Sequence, residues 1–163
     1  MQYLHTMIRS ANLEKTLDFF INKIGLQEVK RYDNEQGKFT LVFLCASKDL
    51  DIANYNQAPM IEITYNWPDK DNKNEKLEVG RSFGHIAYRV KNIYQICEKL
   101  MKEGVPINRP PRDGYMAFVK SPDNISIELL QDGEPLEPQE PWKSMPNIGA
   151  VSYTHLTLPT ISD

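Results

Sequence analysis

Two histidines and two glutamates occur at matching places along the chain, and together they could hold a metal ion. His5 and His85 each open a stretch that is typical of a strand followed by a helix, and Glu62 and Glu128, each directly after an isoleucine, follow them at a distance. Neutral imidazole and carboxylate are ligands that suit first-row divalent metals. We therefore predict a metal site whose four ligands are His5, Glu62, His85 and Glu128.

An internal repeat explains why these four residues fall at equivalent places. The segment that begins at His5 aligns without a gap on the segment that begins at His85, and both continue through a helical pattern to a glycine. In each copy the apolar periodicity predicts the order β-α-β-β-β. The predicted fold class is α+β, with one domain at 1–130 made of two modules, 2–66 and 81–130, that form a curved mixed sheet.

Polar and capping residues mark the boundaries of these elements. Asn12 and Asn92 are suitable N-caps, so a helix is expected to begin after each of them. The segment from Ser47 to Pro59 is expected to be a polar turn, and the charged segment from Asp69 to Glu78 a solvated loop. In the second module a short strand is expected near Pro106 to Asn108.

Glu62 and Glu128 carry much of the metal hypothesis, because each lies inside an apolar strand. Burying a carboxylate costs on the order of several kcal/mol unless it is paired or bound to a metal. The simpler interpretation is that both point to solvent. Another metal geometry is two histidines with one carboxylate, the triad of non-heme iron oxygenases. A curved sheet built from two equivalent modules has an inner face that all four residues would share, which favours the four-ligand site.

The composition is that of an ordinary globular protein. The 163 residues are 40% hydrophobic and 25% charged, with a net charge of -3, which argues against a basic nucleic-acid binder and an acidic disordered chain. No stretch approaches the roughly 20 apolar residues of a spanning helix. The two cysteines, Cys45 and Cys97, lie in apolar contexts, so no disulfide framework is expected. We expect a cytoplasmic protein with no nucleic-acid or membrane partner.

Two segments follow the second module. Residues 131–150 are rich in proline, which cannot continue a sheet, so we predict an extended C-terminal extension. Trp142 is a candidate for docking, on a partner subunit or elsewhere, and the sequence does not identify the surface. Residues 151–163 look like the translation of a sequencing-adapter end. We expect this tail to be non-native and assign no role to His155.

Four motifs resemble those of glyoxalase I, the lactoylglutathione lyase family, and they occur in order over residues 2–130. They are His5-Thr-Met-Ile-Arg9, Ile61-Glu-Ile-Thr-Tyr-Asn-Trp67, Gly84-His-Ile-Ala87, and Ala117-Phe-Val-Lys-Ser-Pro-Asp123 with Ile127-Glu128-Leu129. The resemblance implies the vicinal oxygen chelate fold and one divalent metal per site. It also implies a homodimer with shared sites, in which one subunit supplies the residues matching His5 and Glu62 and the other supplies those matching His85 and Glu128.

The resemblance further implies conversion of the hemithioacetal of methylglyoxal and glutathione into S-lactoylglutathione through a cis-enediolate. Glu128 matches the principal base of the family, and Glu62 is the carboxylate related to it by the repeat. Nickel is favoured over zinc, because the first ligand is histidine, as in many bacterial nickel-activated members. The positions that match contacts to glutathione are Arg9, Asn66, Arg81 and, more loosely, Arg112.

The sequence is also compatible with two other functions. A different vicinal oxygen chelate enzyme, such as a dioxygenase or an epimerase, would replace or ignore one of the four ligands. A non-catalytic binding protein of the same fold would generally lack the metal set. A glyoxalase would also need an apolar pocket for the methyl group of the substrate, for which the candidates are Phe39, Leu41, Phe43, Phe83 and Met116.

Overall fold

The computed structural model of the chain describes residues 1–78 and 80–149, so the tail expected at 151–163 lies outside the described residues. The chain divides into two compact units, the first comprising Met1–Glu78 and the second the described residues that follow. Each unit has its own sheet, and each sheet combines parallel and antiparallel strands. This confirms the α+β class. None of the helices within the described ranges has the length and apolar character that a membrane crossing requires.

The first unit follows the predicted order with one helix added. Its elements are β1 (His5–Arg9), α1 (Leu13–Leu17), β2 (Gln27–Asn34), β3 (Phe39–Cys45), α2 (Leu50–Asn56) and β4 (Met60–Asn66). The strands lie side by side in the order β1-β4-β3-β2. The pair β1 and β4 is parallel, and the other pairs are antiparallel. Glu62 therefore lies on a central strand between His5 on one side and the aromatic strand β3 on the other.

The first helix begins as predicted and then changes its winding. The Asn12 side chain accepts a hydrogen bond from the backbone N–H of Lys15, at 3.0 Å, and so caps the first turn. After Leu17 the chain continues as a π-helix over Asp18–Ile24. The consecutive residues Phe19 and Phe20 are both buried in this wider turn, with their rings edge to face. The helix ends at Gly25, whose φ of 97° is a conformation that glycine adopts without strain.

The expectation of a polar turn from Ser47 to Pro59 is wrong. A 3-10 turn at Ser47–Asp49 leads into α2, and Ala53 of that helix is fully buried beside Phe43 and Met60. Leu50 also packs against this cluster, whereas Ile52 and Tyr55 of the same helix are exposed. The helix has only seven residues, so it is too short to show the 3.6-residue apolar periodicity that identifies an amphipathic helix.

The second unit is a smaller version of the first. Its elements are β5 (His85–Val90), α3 (Ile93–Lys102), β6 (Met116–Lys120) and β7 (Ser126–Gln131). The strands lie in the order β5-β7-β6, with β5 parallel and β6 antiparallel to β7. Asn92 caps α3 by accepting from the backbone N–H groups of Tyr94 and Gln95, both at 3.1 Å. The fully buried side chains Ile93, Cys97 and Leu100 attach this helix to the core.

The short strand expected near Pro106 to Asn108 is not formed in this unit, as far as the structure describes it. In its place a single antiparallel bridge joins Arg109 to Phe118 of β6. Proline has no backbone N–H and cannot donate to a ladder. Pro106 before the bridge and Pro110 directly after it therefore limit the pairing to one residue, and the prediction of a strand at this place is wrong.

The described part of the C-terminal extension, residues 132–149, packs against its own unit, and we call it the C-terminal strap. The backbone N–H of Leu136 donates to the carbonyl of Gly114 at 3.0 Å, and that of Ile148 donates to the carbonyl of Asn108 at 2.8 Å. Trp142 is buried, as the docking prediction required. The strap therefore covers the loop that leads from the Arg109 bridge to β6.

Candidate metal centre

The first unit brings His5 and Glu62 together. In the parallel pair of β1 and β4, Met7 is the direct partner of Glu62, so His5 lies diagonally across from the carboxylate on the same face. His5 Nε2 lies 2.8 Å from Glu62 Oε2, and the two side chains are 33% and 15% exposed. The Glu62 carboxylate is therefore mostly buried and the His5 imidazole partly exposed, so both could contact an ion at the surface of the sheet.

The second unit repeats this arrangement. Ala87 is the direct partner of Glu128 in the parallel pair of β5 and β7, which is the register of the first unit. His85 Nε2 lies 3.1 Å from Glu128 Oε2, with exposures of 32% and 13%. The repeat in the sequence is thus also a repeat in geometry. Each unit carries one pair of histidine and glutamate, which we call a half-site.

A phenylalanine backs each half-site. Phe43 is paired with Glu62 across β3 and β4, and Phe118 with Glu128 across β6 and β7. The ring of each histidine lies edge to face against its phenylalanine, at centroid distances of 5.6 Å and 5.3 Å and interplanar angles of 79° and 82°. These contacts limit rotation of the imidazoles and exclude water from one side.

Phe118 was not among the residues singled out from the sequence. The loop between the aromatic strand and the glutamate differs in length between the two units, so an ungapped alignment does not place Phe118 on Phe43. A signal was nevertheless present, because each phenylalanine lies on an alternating strand directly before the strand of the glutamate. Pairing those two strands by their alternation would have placed both rings beside the carboxylates.

A cationic side chain stands next to each of these rings. Lys30 is the cross-strand partner of Phe43, and its Nζ lies 4.5 Å from the ring centroid and 2.8 Å from Gln57 Oε1. In the second unit the bridge places Arg109 across from Phe118, and its guanidinium donates to both oxygens of Asp113. Sequence reasoning did not find either cation, because their positions beside Phe43 and Phe118 depend on pairing with another strand or bridge.

The hydrogen bonds that Asp113 accepts, including the one from Arg109, lower the pKa of its carboxyl group. Burial alone would raise the pKa of the carboxyl, but the hydrogen bond from Arg109 and those from the backbone N–H groups of Met116 and Tyr115 outweigh it and bring the pKa to about 2. Asp113 is therefore ionised at neutral pH and keeps the Arg109 side chain in place.

The residues that match glutathione contacts in the family lie in both units. Arg9 lies on the same face of β1 as His5 and is exposed, and Asn66 lies on the same face of β4 as Glu62. Asn66 Nδ2 donates to Glu75 at 2.7 Å. In the second unit, Arg81 is exposed ahead of β5.

Arg112 is engaged with the C-terminal strap. Its Nη1 donates to the carbonyl of Met145 and to Oδ1 of Asn147, both at 2.9 Å.

The residues named for the methyl pocket also fall on both units. Phe39, Leu41 and Phe43 alternate along β3 opposite Asn66, Thr64 and Glu62, so they form an apolar strip on the face of the first half-site. Met116 is paired with Leu130 on the face of Glu128. Phe83 precedes β5 and is exposed.

The donors of each half-site fit a divalent metal. An imidazole nitrogen and a carboxylate oxygen that lie about 3 Å apart can both contact one cation, and this is the donor set of zinc and nickel sites. Across residues 1–78 and 80–149 there is no group of three or more His, Cys, Asp or Glu side chains arranged to hold a metal. A half-site therefore offers two protein ligands.

The sequence from residue 2 to residue 129 matches the model of the Glyoxalase/Bleomycin resistance protein/Dioxygenase superfamily. The chain belongs to this superfamily. Among its relatives, lactoylglutathione lyase of Neisseria meningitidis serogroup A is 36% identical over 80% of this chain and 91% of its own length. A probable lactoylglutathione lyase of Synechocystis is 37% identical over 80% of the chain and 95% of its own length.

A solved structure supports the same assignment. The trypanothione-dependent glyoxalase I of Leishmania major is 30% identical to this superfamily member, with a TM-score of 0.68, over 80% of this chain and 86% of the other. The superfamily name itself covers resistance proteins and dioxygenases as well as glyoxalases. The fold is therefore common to several functions, and the residues of the half-sites distinguish one reaction from another.

Proposed function

We propose that the chain is a metal-dependent lactoylglutathione lyase of the glyoxalase I type, which detoxifies methylglyoxal. It would convert the hemithioacetal of methylglyoxal and glutathione into S-lactoylglutathione. The observation that carries the proposal is the presence of two geometrically equivalent pairs of histidine and glutamate, one in each unit. Relatives that are more than a third identical over most of the chain and are named lactoylglutathione lyase support it.

The ligands of the proposed metal are His5, Glu62, His85 and Glu128. When bound, the metal would supply Lewis-acid stabilisation of the negative charge that develops on the two neighbouring oxygens of the substrate. We favour nickel and keep zinc as the alternative, because the first ligand, His5, is a histidine, as in many bacterial nickel-activated members.

The protein residues then have to move one proton between neighbouring carbons. We assign this transfer to Glu128, whose carboxylate is 13% exposed and can take the C1 proton and return it to the adjacent carbon without exchange with bulk water. The electron pair left by the proton moves toward the substrate oxygens and back, so the reaction is an isomerisation with no external oxidant. Glu62 is the equivalent carboxylate of the other half-site and could act on the opposite face of the substrate.

We further propose that the active form is a homodimer in which the half-site of His5 and Glu62 in one copy meets the half-site of His85 and Glu128 in a second copy. The support is chemical. A half-site offers two ligands and leaves a first-row metal with most of its coordination positions open, so a complete site needs both kinds of half-site.

The glutathione part of the substrate carries carboxylates, which need cationic or amide partners. Arg9 and Asn66 are suitable, because they lie on the half-site face of the first unit and a guanidinium binds carboxylate with two parallel hydrogen bonds. Arg81 would supply a further charge. Arg112 could contribute only if it released the strap carbonyl and amide that it now contacts.

The alternative enzymes of the superfamily are less well supported by these half-sites. A dioxygenase with a triad of two histidines and one carboxylate would leave one of Glu62 and Glu128 without a ligand role, yet both carboxylates stand in the same geometry. We place the protein in the cytoplasm, where thiols stay reduced, because Cys45 and Cys97 are free and buried.

The proposal is tested by following the thioester absorbance formed from methylglyoxal and glutathione. Metal-stripped protein should be inactive, and addition of Ni²⁺ should restore turnover, with Co²⁺ or Zn²⁺ added in parallel. His85→Ala is the matched control, because it removes a metal ligand and should stay inactive with every metal. Failure of all three metals to restore turnover in the unmodified protein would refute the lyase proposal.

A further inference from the structure

The carboxylates of the two half-sites, Glu62 and Glu128, differ in the residue that follows two positions later on the same face of the strand. Thr64 lies two residues after Glu62 on the same face of β4, and its hydroxyl donates to Glu62 Oε1 at 3.3 Å. The other carboxylate oxygen, Oε2, faces His5 at 2.8 Å. One oxygen of Glu62 is therefore held by a hydroxyl while the other remains beside the imidazole.

The second unit has a different residue at this place. Leu130 lies two residues after Glu128 and is paired with Met116, just as Thr64 is paired with Leu41. A leucine side chain cannot donate a hydrogen bond. The repeat thus preserves the ligands and the phenylalanines but gives a hydroxyl partner at this position to the first carboxylate alone.

Thr64 is well suited to orient the carboxylate of Glu62. It is 8% exposed, so water has little access to compete for its hydroxyl. A β-branched side chain on a strand also has few rotamers, which keeps the hydroxyl pointed in one direction. Hydrogen bonds to the ligands of a metal fix their orientation, and removing such a bond typically lowers metal affinity by about 10- to 100-fold.

We propose that Thr64 is a positioning residue for Glu62, holding its Oε1 so that Oε2 stays directed at the ion shared with His5. This inference rests on the proposed metal-dependent function. It gives the first half-site an orienting hydroxyl that Leu130 cannot supply at the equivalent position of the second.

The experiment measures Ni²⁺ affinity of the metal-stripped protein by competition with a chromophoric chelator, with no substrate present. Thr64→Val removes the hydroxyl and nearly keeps the shape, and it should weaken Ni²⁺ binding by about tenfold. Thr64→Ser restores a hydroxyl and should recover most of that affinity.

Thr40→Val is the control for loss of a buried threonine hydroxyl. Thr40 lies on β3 of the same sheet but is paired with Tyr65, on the face away from Glu62, and its hydroxyl donates to Asp33. This variant should bind Ni²⁺ as tightly as the unmodified protein, even if it is less stable.

The outcomes separate the two proposals. Equal affinity of the unmodified protein and Thr64→Val, or a serine variant no better than the valine variant, would overturn the role of Thr64. An unmodified protein that binds neither Ni²⁺ nor Zn²⁺ would instead refute the proposed function.

Discussion

Tyr94 and Trp142 stack in the second unit, with ring planes 15° apart and centroids 6.5 Å apart. The Tyr94 hydroxyl also donates to the carbonyl of Glu137 at 2.9 Å, and burial raises the pKa of this phenol. Trp142 is 4% exposed. Helix α3 and the C-terminal strap therefore share an aromatic contact, and the strap contributes to the core of its unit.

Trp142→Ala should destabilise the protein by about 3 kcal/mol, because it removes a large buried ring and leaves the face of Tyr94 exposed. The free energy of unfolding from chemical denaturation measures this loss. Lys143→Ala is the control, since Lys143 is the exposed neighbour in the same turn and should change stability by less than about 0.5 kcal/mol. Equal stability of the two variants would contradict a structural role for the strap.

Arg112→Ala should loosen the end of the strap, because it removes the hydrogen bonds to Met145 and Asn147. Two such bonds contribute about 2 kcal/mol together. Hydrogen exchange at the Ile148 amide, which is bonded to the carbonyl of Asn108, should accelerate. Arg112→Lys keeps the charge without the planar fork and should show a smaller effect. A raised KM with unchanged exchange would indicate a substrate contact instead.

Asp113→Asn should remove a pH-dependent part of the stability. The pKa of Asp113 is about 2 in the folded protein, below its unfolded value near 3.9, so the charged form stabilises the fold above about pH 4 and this contribution is lost as the pH falls through about 2. The carboxylate is 47% exposed, so we expect a difference of about 1 kcal/mol at neutral pH.

Denaturation of both proteins between pH 2 and pH 7 measures this effect. Asparagine keeps the acceptor for the backbone N–H groups of Tyr115 and Met116, so the variant tests the charge opposite Arg109. A difference between the proteins that stays constant down to pH 2 would show that the ionisation of Asp113 does not stabilise the fold.

Mixing two inactive variants should restore activity if the active sites are shared between copies. One chain carries His5→Ala with Glu62→Gln, and the other carries His85→Ala with Glu128→Gln. A mixed dimer then has one complete site and one empty of ligands, so random reassociation should restore about a quarter of the unmodified activity. Each variant alone is the control. No recovery after confirmed exchange of subunits would show that the sites are not shared in this way.

Much of the fold could be predicted, because most strands show a clear apolar alternation and both predicted helices begin at an asparagine cap. Asn12 and Asn92 begin helices as expected. Helix α2 was not predicted, because it has only seven residues and its apolar side chains divide between the core, at Leu50 and Ala53, and the solvent, at Ile52 and Tyr55. The strand expected near Pro106 fails because prolines restrict its ladder to one bridge.

The sequence by itself determined most of the elements and the two pairs of candidate donor residues, because the repeat and the alternation of side chains along a strand are local properties of the chain. Only the tertiary structure decided what surrounds those donors. The register of the sheets placed Phe43 and Phe118 against the histidines, and the path of the strap brought Met145 and Asn147 to Arg112. These contacts join residues far apart in sequence, because strand register and loop path are set by packing of the whole unit.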